Sequence, residues 1–574
     1  MTTSIHRWAI GLLVAGCWSA FADAQSAPKN VTGQEWWRHA IFYEVYPRSF
    51  ADSNGDGVGD LNGIASKLDY LQDLGVDAIW ITPCFPSPQV DFGYDVSDYV
   101  NIDPMYGTLG DFDRLVSEAR KRNIRVILDF VVNHTSDQHA WFIDSKSSKT
   151  AAHRDWYVWR DAKGPNRPPN NWLSTFGSPA WKYDPATQQY YYHYFYPEQP
   201  DLNWRNPEVE KAMFDATRFW YKRGVAGFRL DAVDTLYEDP QLRDDPVLPG
   251  KDKFGRPNLD EKYNKKLPEV HLALQRLRKV ADEYDAVLIG ETWTNDVKEL
   301  EEYYGNNGNE LQLPMDLRLT KLPFSAKDFR QHIKAVDSAR GWPTYVISNH
   351  DIPRSYARYA DGTHNDDIAK MMAAFYLTLR GTPIMYYGEE LGMQNNDPKS
   401  KEVVKDPIGV LGWPKEKGRD GERTPMQWNS GPNAGFTSGK PWLPVPESAK
   451  THNVETETSS EKSVLSFYKK VIHLRKTEPA LLEGSYIPLN ESDPNVISYL
   501  RTSDKETILV VLNFSATPQT PRFDLAKSGF PSPKIEALLE NAASVSDNAL
   551  SSVKLNAYGV YVGRISNAAP ATPK

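Results

Sequence analysis

The chain has 574 residues with 66 Lys and Arg against 75 Asp and Glu, a formal charge of −9 at pH 7, and it contains no Lys/Arg block of the kind that binds nucleic acid. Apolar residues make up 40%, and 17 Trp, 30 Tyr and 22 Phe supply ample surface to bury, which argues against a disordered chain. Two cysteines, Cys17 and Cys84, exclude a disulfide framework.

At the N-terminus, Arg7 precedes an apolar run over 8–16, and Ala22-Asp23-Ala24 offers a small-x-small cleavage site. Residues 1–24 are therefore expected to be a secretory signal, with the mature chain starting near Gln25. Val14-Ala15-Gly16-Cys17 supports a second reading, a lipobox that would leave a lipid on Cys17. Both readings export the protein, to the periplasm or beyond. No later stretch approaches the roughly 20 apolar residues of a membrane span. Cys84 is expected as an inert packing thiol.

Short apolar runs then alternate with amphipathic stretches. The runs cover 41–46, 78–82, 126–132, 227–231, 287–290, 345–348 and 384–387, with a further one near 311–315. Their Val, Ile, Phe, Tyr and Leu suit buried parallel strands. Between them, Ile64, Leu68, Leu71 and Leu74 share a helical face that Gly75 should end. Phe112, Leu115, Val116 and Ala119 form the next stripe, behind Asp111 as its expected N-cap. Val209, Met213, Ala216 and Trp220 form a third, with Asn206 as cap, Pro207 in the first turn and Gly224 after the end.

About eight such repeats predict an α/β fold, a closed (β/α)8 TIM barrel over 32–135 and 206–483. Residues 136–205 hold no clear helix and are expected to be a domain inserted after the third strand. Residues 392–450 are rich in Gly and Pro and should form long loops over the barrel mouth. From 484 to 567, "VISYLRTS", "TILVVLNFS" and "GVYVGRI" alternate like antiparallel strands, predicting a C-terminal all-β sandwich domain, with 568–574 as a disordered tail.

In a barrel of this kind, chemistry gathers where the strands end. The third run ends in Asn133-His134, and Arg229 and Asp231 share one face of the fourth. Glu291 and His350-Asp351 follow two later runs. One acid in such a place reads as a helix cap. Three, with Arg229 and two histidines, make a concentration of charge that is costly to bury unless it acts. Three converging carboxyls suit glycoside cleavage: one attacks, one donates a proton and one holds the sugar. The chain lacks a Walker loop, an HExxH pair and a GxSxG turn, which disfavours phosphoryl transfer, zinc hydrolysis and serine hydrolysis. Abundant Trp and Tyr with little net charge also fit a neutral, flat-faced ligand such as a sugar.

"DSNGDGVGD" sets Asp52, Asn54 and Asp56 at alternating positions with Asp60 beyond them. Hard oxygen donors at that spacing suit a structural Ca²⁺, with Mg²⁺ as the second choice, and the Val58 carbonyl and Asp60 would complete the set. The twelfth position is Gly63, so the bidentate Glu of an EF-hand is missing. The other reading is a solvated turn, since Asn-Gly and Asp-Gly are turn dipeptides.

"DFVVNH", "GFRLDAV", "GETW" and "SNHD", in this order, are similar to motifs of the α-amylase superfamily of retaining glycosidases, glycoside hydrolase family 13. The likeness runs from Trp36 to about Ile565. "QPDLN" at 199–203, the loop at 52–60 and "RDGERTPMQW" at 419–428 resemble the oligo-1,6-glucosidase and α-glucosidase branch. The resemblance implies Asp231 as the nucleophile that forms a β-glucosyl ester, Glu291 as general acid and then base, and Asp351 on the 2- and 3-hydroxyls. It implies Arg229 beside Asp231, keeping it ionised, and His134 and His350 hydrogen-bonded to the sugar ring. It places Tyr94 under that ring, Phe176 on the leaving-group side, and an Asp91/Arg419 pair on the 4- and 6-hydroxyls. Asp95 reads as structural.

A floor closed by that pair admits only a chain end, so the implied activity is an exo-acting α-glucosidase on a small oligosaccharide or disaccharide. The Lys-His that amylases usually carry after the nucleophile is absent from Asp231-Ala232-Val233-Asp234-Thr235. In this branch Val after the nucleophile accompanies α-1,6 cleavage, so Ala232 leans toward α-1,4, maltose-like or sucrose-like substrates. Ile352 stands where Gln often follows the third acid, implying a more apolar leaving-group site. The alternatives are a glucosyl transferase or sucrose isomerase, an oligo-1,6-glucosidase, and a non-catalytic transporter heavy chain. No Arg-Leu-Asp-Arg-type isomerase loop is evident, although "MDLRLTK" lies nearby. A transporter chain would need a membrane anchor and often lacks the acids, all three of which are present here.

Overall fold

The computed structural model describes residues 35–164, 167–544 and 553–567. The expected signal at 1–24, with Cys17, and the tail at 568–574 lie outside the described residues.

Eight parallel strands form the central sheet: β1 Phe42–Val45, β2 Ala78–Ile81, β3 Arg125–Val131, β4 Gly227–Asp231, β5 Val287–Gly290, β6 Leu313–Pro314, β7 Thr344–Val346 and β8 Thr382–Tyr386. Their order is β6-β5-β4-β3-β2-β1-β8-β7. A parallel bridge between Asp316 and Tyr345 joins the last two edges and closes the ring. The fold is a (β/α)8 TIM barrel.

Period two splits each strand between two cores. Phe42, Trp80, Ile127, Val287, Ile289, Leu313, Val346 and Ile384 fill the barrel interior. Their alternates, among them Tyr43, Ile79, Leu128 and Leu288, pack against the helices. Glu44, Asp129 and Glu291 follow Phe42, Ile127 and Ile289 by two residues and so continue the inward rows. The apolar filling therefore ends in a charged layer at the C-terminal rim.

Around the barrel, Phe112, Leu115, Val116 and Ala119 are buried on the helix Leu109–Lys121, as expected. Its N-cap is Thr108 rather than Asp111: Asp111 is the third helical residue and returns its side chain to the cap in a capping box. The stripe from Ile64 to Leu74 is broken into two helices, Leu61–Ser66 and Leu68–Leu74, and ends at Gly75 with φ 95°. Asn206 caps the helix Pro207–Lys222, and Gly224 follows it with φ 93°.

After β3 comes a three-stranded antiparallel sheet of Trp159–Asp161, Trp181–Asp184 and Gln189–Tyr192. The same region contains a helix, Ala140–Ser147, that the sequence reading lacked. Its apolar residues form no stripe, since Phe142 is buried while Ile143 is 55% exposed, so periodicity could not reveal it. His139 caps it by accepting a hydrogen bond from the Trp141 amide. Residues 392–450 are mainly irregular, with a short helix Pro407–Gly412.

The C-terminal strands are β9 Ser485–Leu489, β10 Val496–Thr502, β11 Thr507–Asn513, β12 Pro533–Ser544 and β13 Lys554–Asn567. They form one antiparallel sheet ordered β9-β10-β11-β13-β12. One face, with Tyr499, Ile508 and Val510, joins the barrel core. The other, with Leu500, Leu509 and Val511, packs on Leu525, Val553 and Leu555. Cys84 is buried, which pushes its thiol up to about 12 and leaves it unreactive.

Candidate active site

The charged layer is organised around one arginine. Arg229, fully buried on β4, donates from Nη1 to both oxygens of Asp129 (2.9 and 3.1 Å) and to Asp231 Oδ1 (2.7 Å). Its Nη2 lies 2.9 Å from Glu291 Oε2. One guanidinium thus bridges three carboxylates from β3, β4 and the end of β5. Glu291 is fixed further: Oε2 accepts from the Ala232 amide (3.0 Å) and Oε1 from Trp293 Nε1 (2.8 Å).

Burial pushes Asp231 well above the usual carboxylate range; Arg229 pulls against it, while Glu291, Asp129 and Asp351 add repulsion. Burial likewise raises Asp129 to about 6 against the pull of Arg229. Three acids around one cation make a site that readily holds a proton.

A second arginine organises the opposite wall. Arg419 donates to Asp91 (2.8 Å), Asp351 (3.0 Å) and Asp406 (2.8 Å). Arg423 adds a contact of 2.8 Å to Asp351 Oδ1. Burial alone would raise Asp351, but His350, Arg419 and Arg423 hold it well below the usual range. His350 is itself pushed far down by burial, so the arginines are the permanent cations there.

Between these walls lies a cavity of about 120 Å³. Of the residues singled out from the sequence, Asp91, Tyr94, His134, Phe176, Asp231, Glu291, Asp351 and Arg419 line it. Arg229 and His350 stand behind the wall with no exposed surface. His350 was expected on the sugar ring, but Nδ1 is 2.6 Å from Glu44 and Nε2 is 2.5 Å from the Tyr94 hydroxyl. Tyr94 stacks on His350 at 5.4 Å and 8° and gives its hydroxyl to Asp129 at 3.0 Å. His134 is pushed down to about 3 by burial, so it is neutral at physiological pH, with Nε2 3.1 Å from Gln199. Asp95 takes the amides of Val90 and Asp91, both at 2.9 Å, a purely structural part.

Glu44, Asp129, Asp406 and Arg423 were not foreseen. Glu44 and Asp129 carried a signal, as acids inside apolar runs at inward positions. Asp406 and Arg423 sit in irregular chain where no period places them.

The loop at 52–60 is closed by its own amides. Asp52 accepts from Asn54, Gly55 and Gly57, Asn54 from Asp56, and Asp56 from Val58. Asp60 spends its oxygens on Ser53 and on capping Gly63. The donors are hard oxygens, which suits Ca²⁺ in kind. Among the described residues, however, no group of three or more His, Cys, Asp or Glu is placed to hold a metal.

The family model for the α-amylase catalytic domain matches residues 44–484, and that for the maltogenic amylase C-terminal domain matches 487–562. The chain belongs to the α-amylase family. It is thus a glycoside hydrolase by class. A probable alpha-glucosidase of Rhizobium meliloti is 40% identical over 93% of this chain and 97% of its own length. An oligo-1,6-glucosidase of Parageobacillus thermoglucosidasius is 39% identical over 85% and 92%. The solved isomaltulose synthase of Erwinia rhapontici NX5 superposes with a TM-score of 0.86 at 37% identity, covering 93% of this chain and 99% of that one.

Proposed function

We propose that the protein is an exo-acting retaining α-glucosidase that removes terminal α-linked glucose, with α-1,4 linkages preferred, from maltose and short oligosaccharides and with sucrose as a further substrate. The observation that carries this reading is the fork of Arg229, with Asp231 at 2.7 Å and Glu291 at 2.9 Å on neighbouring nitrogens. Two carboxyls anchored on one guanidinium favour the roughly 5 Å spacing of retaining glycosidases over the roughly 6.5–9.5 Å of inverting ones.

In this reading Asp231 attacks the anomeric carbon while Glu291 protonates the departing oxygen, and Glu291 then takes a proton from the water that opens the ester. Asp351, kept anionic, receives sugar hydroxyls, and the Asp91–Arg419 pair closes the far end. Ala232, in the wall beside Glu291, supports the α-1,4 preference. Glucose release from maltose, isomaltose, sucrose and trehalose tests the reading: maltose should be turned over fastest, and failure to release glucose from any of them contradicts it.

A glucosyl transferase or sucrose isomerase is the second reading, favoured by the likeness to isomaltulose synthase. It predicts isomeric disaccharides from sucrose instead of free glucose and fructose. An oligo-1,6-glucosidase, the third, predicts isomaltose ahead of maltose.

For the loop at 52–60 the proposal remains a structural Ca²⁺, or Mg²⁺, resting on donor chemistry alone. A chelator should then lower the melting temperature and Ca²⁺ restore it, with Asp56→Ala removing the difference. A melting curve indifferent to both assigns the loop to its own hydrogen bonds. Export also remains part of the proposal; the mass of the mature N-terminus separates a start near Gln25 from a lipidated Cys17.

A further inference from the structure

Glu44 is fully buried on β1 and does not line the cavity. Among the described residues its one ion-pair partner is His350. Oε1 lies 2.6 Å from His350 Nδ1 and accepts the His350 amide at 3.3 Å, while Oε2 is buried without a partner. On the other side of the ring, Nε2 is 2.5 Å from the Tyr94 hydroxyl and 3.3 Å from Asp351 Oδ2. The Tyr94 hydroxyl is in turn 3.0 Å from Asp129 Oδ2, which Arg229 also holds.

Counting protons along this chain decides who donates. A tyrosine hydroxyl has one proton and an ionised carboxylate has none. Tyr94 spends its proton on Asp129, so at the 2.5 Å contact its oxygen accepts, and the hydrogen there belongs to Nε2. That hydrogen also faces Asp351, which is kept anionic. With Nε2 bare, its lone pair would oppose Asp351, and Tyr94 would have one proton for two acceptors. A neutral imidazole protonated on Nε2 has no hydrogen on Nδ1. The contact of 2.6 Å to Glu44 then needs its donor on the glutamate side.

We propose that Glu44 is a neutral carboxylic acid that donates its proton to His350 Nδ1, and that it is the positioning residue that keeps the His350 N–H turned toward Tyr94 and Asp351. Placing the same proton on Nδ1 would create a buried ion pair and leave Oε2 as part of an unpartnered carboxylate; on Glu44 it leaves a neutral carbonyl oxygen, which costs less to bury. The surroundings agree. Burial raises Glu44 well above the usual carboxylate range; Arg229 and the His350 amide pull against it, while Asp351 and Asp129 add repulsion. Tyr386 and Tyr387 of the neighbouring β8 and its end are both raised by burial and stay neutral. Donation thus runs from Glu44 through His350 and Tyr94 to Asp129 and the Arg229 cluster. A residue outside the cavity sets the Tyr94 ring and Asp351, which line it. The effect on turnover rests on the α-glucosidase reading; the location of the proton does not.

The test has a spectroscopic arm and a kinetic arm. The infrared difference between wild type and Glu44→Gln at pH 8 should contain the carbonyl band of a neutral carboxylic acid, present in the wild type and lost in the variant. Absence of that band means that Glu44 is ionised and overturns the inference. In Glu44→Leu, which leaves Nδ1 without a donor, kcat/KM for maltose should fall about tenfold or more, the loss expected for an unmade bond in a buried site. Glu44→Gln, which offers Nδ1 an amide hydrogen of similar reach, should recover most of that loss. Equal losses in both variants, or turnover by Glu44→Leu at the wild-type rate, overturn the positioning role. A wild type that releases no glucose overturns the glucosidase reading instead, and the infrared difference, which needs no turnover, still decides whether Glu44 carries the proton.

Discussion

Asp231→Ala is expected to reduce glucose release from maltose by about 10⁴-fold or more, the scale of losing a covalent nucleophile. The fold should not suffer in step. Asp129, Asp231 and Glu291 share one guanidinium, so removing Asp231 leaves two carboxylates on Arg229 and relieves repulsion in a buried cluster. Glu291 keeps the Ala232 amide and Trp293. The melting temperature should therefore be unchanged or higher while turnover collapses. Assay of kcat beside thermal unfolding separates the two effects, and turnover within tenfold of the wild type would remove Asp231 from the chemistry.

Arg229→Met should act in the opposite sense, costing stability as well as rate. It leaves three buried carboxylates without their cation, a loss on the order of 3–5 kcal/mol, readable in denaturant unfolding. The loss should depend on pH. With the cation gone, the folded-state values of Asp129, already raised to about 6, and of Asp231 move further up, away from the ordinary unfolded value. A group whose folded value is raised is tolerated while protonated and penalises the fold as pH rises through that value. The gap between variant and wild type should thus widen from pH 5 to pH 8. Residual activity should also need a higher pH, because Asp231 must be ionised to attack. A variant equally destabilised at both ends of that range would show that the guanidinium does not balance the acids.

Much of this arrangement was legible before any coordinates. Gly227–Asp231 and Val287–Gly290 are strands over the ranges their apolar runs marked, because a barrel strand buries both faces and leaves no polar alternation to confuse its ends. Asp231, Glu291 and Asp351 stood out as acids placed directly after such runs. What escaped was what depends on tertiary contacts. Thr108 and Asp111 are both good capping residues, and only the chain's path decides that Thr108 caps while Asp111 answers it. His350 sits next to Asp351 in sequence, yet Glu44 and Tyr94 turn its ring into the wall. Asp406 comes from an irregular connection with no period to betray it, and its role follows from the arginine it meets.

The account turns on Asp231 and Glu291 serving one anomeric carbon from opposite faces, close enough for a covalent ester to form. Proton NMR of freshly mixed protein and maltose, read before mutarotation, shows which anomer of glucose leaves first from the non-reducing unit. Initial release of α-glucose is predicted; β-glucose appearing first would mean a single displacement by water and would contradict the proposed role of Asp231.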